Sequence, residues 1–157
     1  MSVTEERKLS GEVFSELPVM PVLDPPTWRG LQIEGLVESS LSMNLSELVR
    51  MSDAKIEKDF YCFDGWVAPA QQWEGVSVAT ILNRAGIMSG ATGVEFISGG
   101  FNQPLTLKEA LAPDVIVALR LNGKKLPSGN GGPCRLLAGS KDGPTHVKWL
   151  QHIKVVG

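Results

Sequence analysis

The stretch VIVALRLNGKKLP, residues 115–127, constrains the fold more than any other part of the chain. An apolar run meets Asn122-Gly123 and then a polar run. That is the pattern of a two-residue hairpin turn, whose central residues both need positive φ. A tight hairpin there argues against a doubly wound parallel sheet. Other short segments agree. LQIEGLV alternates, with Leu31, Ile33 and Leu36 apolar and Gly35 read as a bulge or bend. KIEKDFYCF reads as a strand ending near Cys62, and GVEFIS, PCRLLA and HIKVV read as further strands. Three short helices are expected between them. NLSELVRM has Asn44 and Glu47 at capping-box spacing, and TLKEALAP has Thr106 and Glu109, closed by Pro113. SVATILNRAG has Ser77 as its cap and Gly86 at its end. Strands and helices do not alternate regularly. The expected class is therefore α+β, with a mixed, mainly β architecture and short helices.

A chain of 157 residues with 43% hydrophobic and 20% charged residues can bury one full core without disulfide or metal staples. Fifteen basic against seventeen acidic residues leave a net charge of -2, which argues against a nucleic-acid partner or an anionic membrane surface. No stretch approaches the roughly 20 apolar residues of a membrane span. The N-terminus has no apolar run of signal-peptide length. A cytoplasmic location is expected on that ground, with the periplasm open if a leader has been removed. Residues 1–27 differ from the rest: LPVMPVLDPPTW carries four prolines and reads as an extended arm. The domain proper is expected to span 28–157.

Dinucleotide turns, Walker loops and nucleophile elbows are absent. The cysteines, Cys62 and Cys134, lie too far apart for a compact zinc motif with His146 and His152. Taken alone, Cys62 in FYCFDGW reads as a buried thiol, because free cysteine is among the most buried residue types. Asp64 beside it reads either as an acid or base or as the first half of an Asp-Gly turn. Two later stretches shift the balance. PSGNGGPCRL places Gly129, Gly131 and Gly132 around Asn130, followed by Arg135. AGSKDGPTHVKW supplies Gly139, Gly143, Thr145, His146 and Lys148. Glycines let backbone N–H groups approach an anion, and the basic side chains add charge. Together they point to an anionic, polar ligand.

From about Trp28 to Val156 the chain resembles the molybdopterin-binding domain of the sulfite oxidase family. WRGLQIEGLV, FYCFDGW, WEGVSVATILNRAG and VKWLQHIKV hold its four tryptophans, and VEFISGGF, LTLKEAL, ALRLNGKKLP and NGGPCRLL lie between them in the family's order. The resemblance implies a minimal, single-domain member. It implies Cys62 as the one protein ligand to molybdenum and the catalytic cysteine, with a single pyranopterin dithiolene completing the sulfur donors. It places Tyr61, Phe63 and Asp64 beside the metal. It also places Asn130, Gly131, Gly132, Arg135, Gly143, Thr145, His146 and Lys148 around the pterin and its phosphate. The implied activity is oxygen-atom transfer on a small-molecule substrate, with electrons exchanged singly with an external cytochrome or haem protein. Some positions depart from the family's usual residues: Asn130 for His, Gly99 for an acidic residue, Phe101 for Tyr and Thr145 for Arg. No arginine follows Cys62 in DGWVAPAQQW, so sulfite is not the expected substrate. The competing expectation is a binding or scaffold domain that keeps the fold without the cofactor.

Overall fold

The computed structural model describes residues 13–19, 26–61, 66–139 and 146–157. Cys62, Phe63, Asp64, Gly143 and Thr145 lie outside them. Among the described residues the chain runs β1 (Leu31–Gly35), β2 (Leu41–Met43), α1 (Leu45–Arg50), β3 (Ala54–Tyr61), β4 (Val67–Ser77) and α2 (Val78–Ala85). It continues through β5 (Gly93–Ser98), β6 (Phe101–Thr106), α3 (Leu107–Ala110), β7 (Val115–Leu121), β8 (Lys124–Lys125), a 3-10 turn (Ser128–Asn130), β9 (Arg135–Ala138) and β10 (His152–Val156).

The strands form two sheets. One has the order β2-β1-β10-β5-β6, in which β1 and β10 are parallel and the other pairs antiparallel. The other has the order β3-β4-β7-β8, with β9 also paired to β7 and every pair antiparallel. The expected hairpin joins β7 to β8, with Asn122 at φ 51° and Gly123 at φ 79°. The main core lies between the sheets. It takes Leu31 and Ile33 from β1, Phe96 from β5, Ile153 from β10, Val117 from β7, Leu136 from β9 and Ile81 from α2.

A second cluster covers the far face of the second sheet, built on Trp73, Ile116, Ala118, Leu121 and Leu137. Strand residues alternate between faces, so Ile116 and Ala118 turn away from the core that holds Val115 and Val117. Leu121 joins the far face because the β4–β7 register shifts between Glu74 and Gly75, which leaves Leu119 as an extra residue on β7. Gly75 is required there. A Cβ at that position would stand 1.9 Å from the Val117 carbonyl oxygen.

Residues 13–19 also lie on this face. The Phe14 N–H donates to Val67 O at 2.7 Å, and the Phe14 ring meets Trp66 edge-on at 5.6 Å. Leu17 is buried, and its N–H donates to Gln71 Oε1 at 2.7 Å.

Both capping boxes form as expected, at Asn44–Glu47 and Thr106–Glu109. Ser77 starts α2, but its side chain makes no capping bond. Asp53 does that work from the loop after α1. It accepts from Ser77 N at 2.9 Å and from Thr80 Oγ1 at 2.6 Å. The reason is that β4 runs directly into α2, and the first turn is reached from a neighbouring loop. Burial raises the Asp53 pKa, but hydrogen bonds from Thr80 and Ser77 outweigh it and hold the carboxyl below its ordinary value.

Strands β2, β4 and β6 were not evident in the sequence pattern. In β4, Pro69 and Gly75 break the alternation. The structure accommodates the first break by a bulge opposite Lys58–Phe60, where Ala70 takes φ 54° and donates its N–H to Asp59 Oδ1 at 2.7 Å. No helix among the described residues is long and apolar enough to cross a membrane.

Candidate cofactor site

The glycine-rich stretch 127–134 forms a tight turn leading into β9. Asn130 N–H and Gly132 N–H both donate to Pro127 O, at 3.0 and 2.9 Å. Gly131 follows the 3-10 turn at φ 102°, a left-handed conformation that favours glycine. A Cβ on Gly131 would also stand 2.9 Å from Lys148 Cγ. Gly132 packs as closely: a Cβ there would meet Leu126 O at 1.9 Å.

Arg135 opens β9 opposite Ala118, and both Arg135 and Asn130 are 3% exposed. Arg135 Nη1 donates to Asn130 O at 3.0 Å, and the guanidinium carbon sits 5.2 Å from the centre of the Trp73 ring. Lys148 reaches the same turn from the chain that precedes β10. Its ammonium donates to Gly129 O at 3.0 Å. Trp149, at φ 52°, locks that segment by donating its backbone N–H to Gly131 O at 3.0 Å and its indole N–H to Ser128 O at 2.8 Å.

The electrostatics are one-sided. Burial pushes the Arg135 guanidinium down to about 10, still charged at neutral pH. Burial, and then the Arg135 charge, lower the Lys148 pKa. Among the described residues, neither cation is paired with a carboxylate. Three buried donors of this group have no hydrogen-bond partner among the described residues: Trp73 Nε1, Asn130 Nδ2 and Arg135 Nε. A buried donor left unmade costs about 1–3 kcal/mol. Three of them, on Arg135 and on two residues it touches, beside two cations with no carboxylate partner among the described residues, suit an acceptor-rich anion. Phosphate and pterin oxygens are such acceptors, so the residues present fit the cofactor that the resemblance implies.

The structure thus brings Asn130, Gly131, Gly132, Arg135 and Lys148 together. His146 is buried at the other end of β9, with Nε2 3.1 Å from Ala138 O. That is three residues along the strand from Arg135, roughly 10 Å. Tyr61 ends β3, its backbone paired with Val67. Trp73 has no signal of its own in the sequence: nothing in QQWEGV says that the ring lies under a guanidinium. The pairing of β4 with β7, and of β7 with β9, decides that.

Comparison with known proteins gives the family and the fold. The model of the oxidoreductase molybdopterin binding domain family matches residues 16–157. The chain belongs to this family. Its match to the catalytic subunit of the protein-methionine-sulfoxide reductase MsrP from Gluconobacter oxydans (strain 621H) is 32% identical over 155 residues, covering 84% of this chain and 48% of MsrP. The chain therefore spans about half the length of that relative. The oxidoreductase YuiH of Bacillus subtilis (strain 168) is 26% identical over 148 residues, covering 90% of this chain and 75% of YuiH. Among solved structures, the sulfane dehydrogenase SoxCD of Paracoccus pantotrophus superposes with a TM-score of 0.70 at 20% identity, over 80% of this chain and 37% of SoxCD. That likeness establishes the molybdopterin-binding oxidoreductase fold.

Proposed function

We propose that this domain binds a single-pyranopterin molybdenum cofactor and catalyses oxygen-atom transfer on a small, uncharged substrate, not sulfite. The observation that supports the reading is the set of buried donors on Trp73, Asn130 and Arg135 that have no partner among the described residues. Arg135 and Lys148, which have no carboxylate partner among the described residues, hold the phosphate. Asn130, Gly131 and Gly132 present the turn against which the pterin lies, and Gly143, Thr145 and His146 add hydrogen bonds. Cys62 is the single protein ligand to the metal, flanked by Tyr61, Phe63 and Asp64; a soft thiolate suits that role. The bound group supplies a two-electron exchange of oxygen, with the electrons passing singly through an external cytochrome or haem protein. The chain's own residues position it and shape access. A sulfoxide is the first substrate class to test, because MsrP is named for one and DGWVAPAQQW, just after Cys62, has no arginine to hold a sulfite anion.

The test is expression in a host that makes the cofactor. Molybdenum stoichiometric with the chain, pterin fluorescence after denaturation and sulfoxide-dependent oxidation of a reduced viologen dye are expected. Cys62→Ser should abolish turnover and change the metal's spectrum. Metal-free protein from a competent host, with Cys62→Ser indistinguishable from wild type, would instead favour a scaffold domain that has lost the cofactor.

A further inference from the structure

Lys58 is not among the residues that the family resemblance singles out. It lies on β3 opposite Gln71, two residues beyond Ile56, which pairs with Trp73. Ile56 and Phe60 both pack against the far-face cluster, so alternation puts Lys58 on the face that also carries Trp73. Its ammonium donates to Gly139 O at 2.9 Å, just past the end of β9. Strands β3 and β9 are not neighbours, since β4 and β7 lie between them. Three strand spacings come to roughly 14 Å along a flat sheet. A lysine side chain spans less than half of that, so the bond requires the sheet to curl and the Lys58 stem to cross its concave side. The strap joins two particular strands. β3 leads directly toward Cys62, and β9 begins with Arg135 and ends at Ala138, where His146 rests. On the opposite side of Gly139, its N–H donates to Asp114 O at 2.8 Å.

We infer that Lys58 is a positioning residue of the cofactor site: it straps the strand leading to Cys62 onto the end of β9 and sets the width of the face that receives the cofactor. The strap stands on the geometry, and its effect on the cofactor rests on the function proposed above. An ammonium-to-carbonyl bond is charge-assisted, and the half-buried stem covers apolar surface on the way. Lys58→Met keeps the stem and removes the bond, whereas Lys58→Arg keeps a cationic donor.

Two measurements test this. In cofactor-free protein, the Gly139 amide should exchange hydrogen roughly ten-fold faster in Lys58→Met than in wild type, with Lys58→Arg close to wild type. The Leu136 amide, which donates to Val147 O across an isolated bridge, should be unchanged. In loaded protein, Lys58→Met should release pterin roughly ten-fold faster, again with rescue by arginine. Cys134 is fully buried and burial pushes its thiol up to about 12, so its alkylation reports global opening. Unchanged Gly139 exchange overturns the strap. Unchanged pterin release, or release that rises only together with Cys134 alkylation, overturns the positioning role. Wild-type protein that never takes up pterin overturns the functional reading and the cofactor role with it, while the exchange measurement decides the strap by itself.

Discussion

Two buried polar regions share the far face of the second sheet, and the protein treats them oppositely. At one, the Gln71 side chain is satisfied completely. Its Oε1 accepts from Leu17 N at 2.7 Å and from Asn122 Nδ2 at 2.8 Å, and its Nε2 donates to Ser15 O at 3.0 Å and to Pro69 O at 2.9 Å. One amide thus ties residues 13–19, the Pro69 bulge and the hairpin turn together. At the other, Arg135, Asn130 and Trp73 are as deeply buried, yet each keeps a donor without a partner among the described residues. The two regions share a sheet face and a similar burial, so burial alone does not distinguish them. The first is closed by the chain itself. The second is left open by the described residues, so unmet donors mark it out as the candidate ligand site where depth does not.

Substitutions can break this contrast. The largest effect is expected at Gln71. Gln71→Leu orphans the Leu17 N–H and the Asn122 amide, and should cost about 2–4 kcal/mol of stability in chemical denaturation. Residues 13–19 should loosen at the same time in hydrogen exchange. A loss no larger than that of an ordinary surface substitution would show that the Gln71 region is not the closed one.

Arg135→Met should act in the other direction. It removes a buried charge that has no carboxylate partner among the described residues, so the cofactor-free protein should gain about 1–2 kcal/mol while pterin retention falls. The gain should hold through acid and neutral pH. The folded guanidinium, pushed by burial down to about 10 and so below its ordinary value, binds its proton less tightly than the unfolded one. Wild-type stability therefore rises above pH 10, and the gain shrinks there. A destabilised cofactor-free Arg135→Met protein would mean that the Trp73 and Asn130 contacts already satisfy the charge.

The smallest effect serves as the reference for an exposed, satisfied carboxylate. Asp53→Ala should cost about 1 kcal/mol, the usual worth of an N-terminal helix cap. Its folded pKa is lowered from 3.8, so that stability is fully present above the unfolded value and is lost as pH falls through the folded one. Melts of wild type and Asp53→Ala should therefore converge in acid. A difference that stays constant down to low pH would mean that the carboxylate is not the capping group.

Much of this protein was readable from local chemistry. The positive-φ demand of Asn122-Gly123, the two capping boxes and the alternation of LQIEG and GVEFIS depend on residues within a few positions of each other. So does the turn around Gly131. The order of the tryptophan-bearing stretches named the family, and the match over residues 16–157 agrees with it. What stayed hidden needed pairing between distant segments. β4 was obscured because its breaks at Pro69 and Gly75 are absorbed by bulges against β3 and β7. Asp53 rather than Ser77 caps α2 because a loop from another part of the chain reaches its first turn. The meeting of Trp73 with Arg135, and the reach of Lys58 to Gly139, exist only once the strands of the second sheet have paired. The sequence determined by itself which residue types could hold an anionic cofactor, because charge and backbone freedom belong to single residues. Only the tertiary structure decided which of their hydrogen-bonding groups the protein would leave unsatisfied, because a partner is a property of two places in the chain at once.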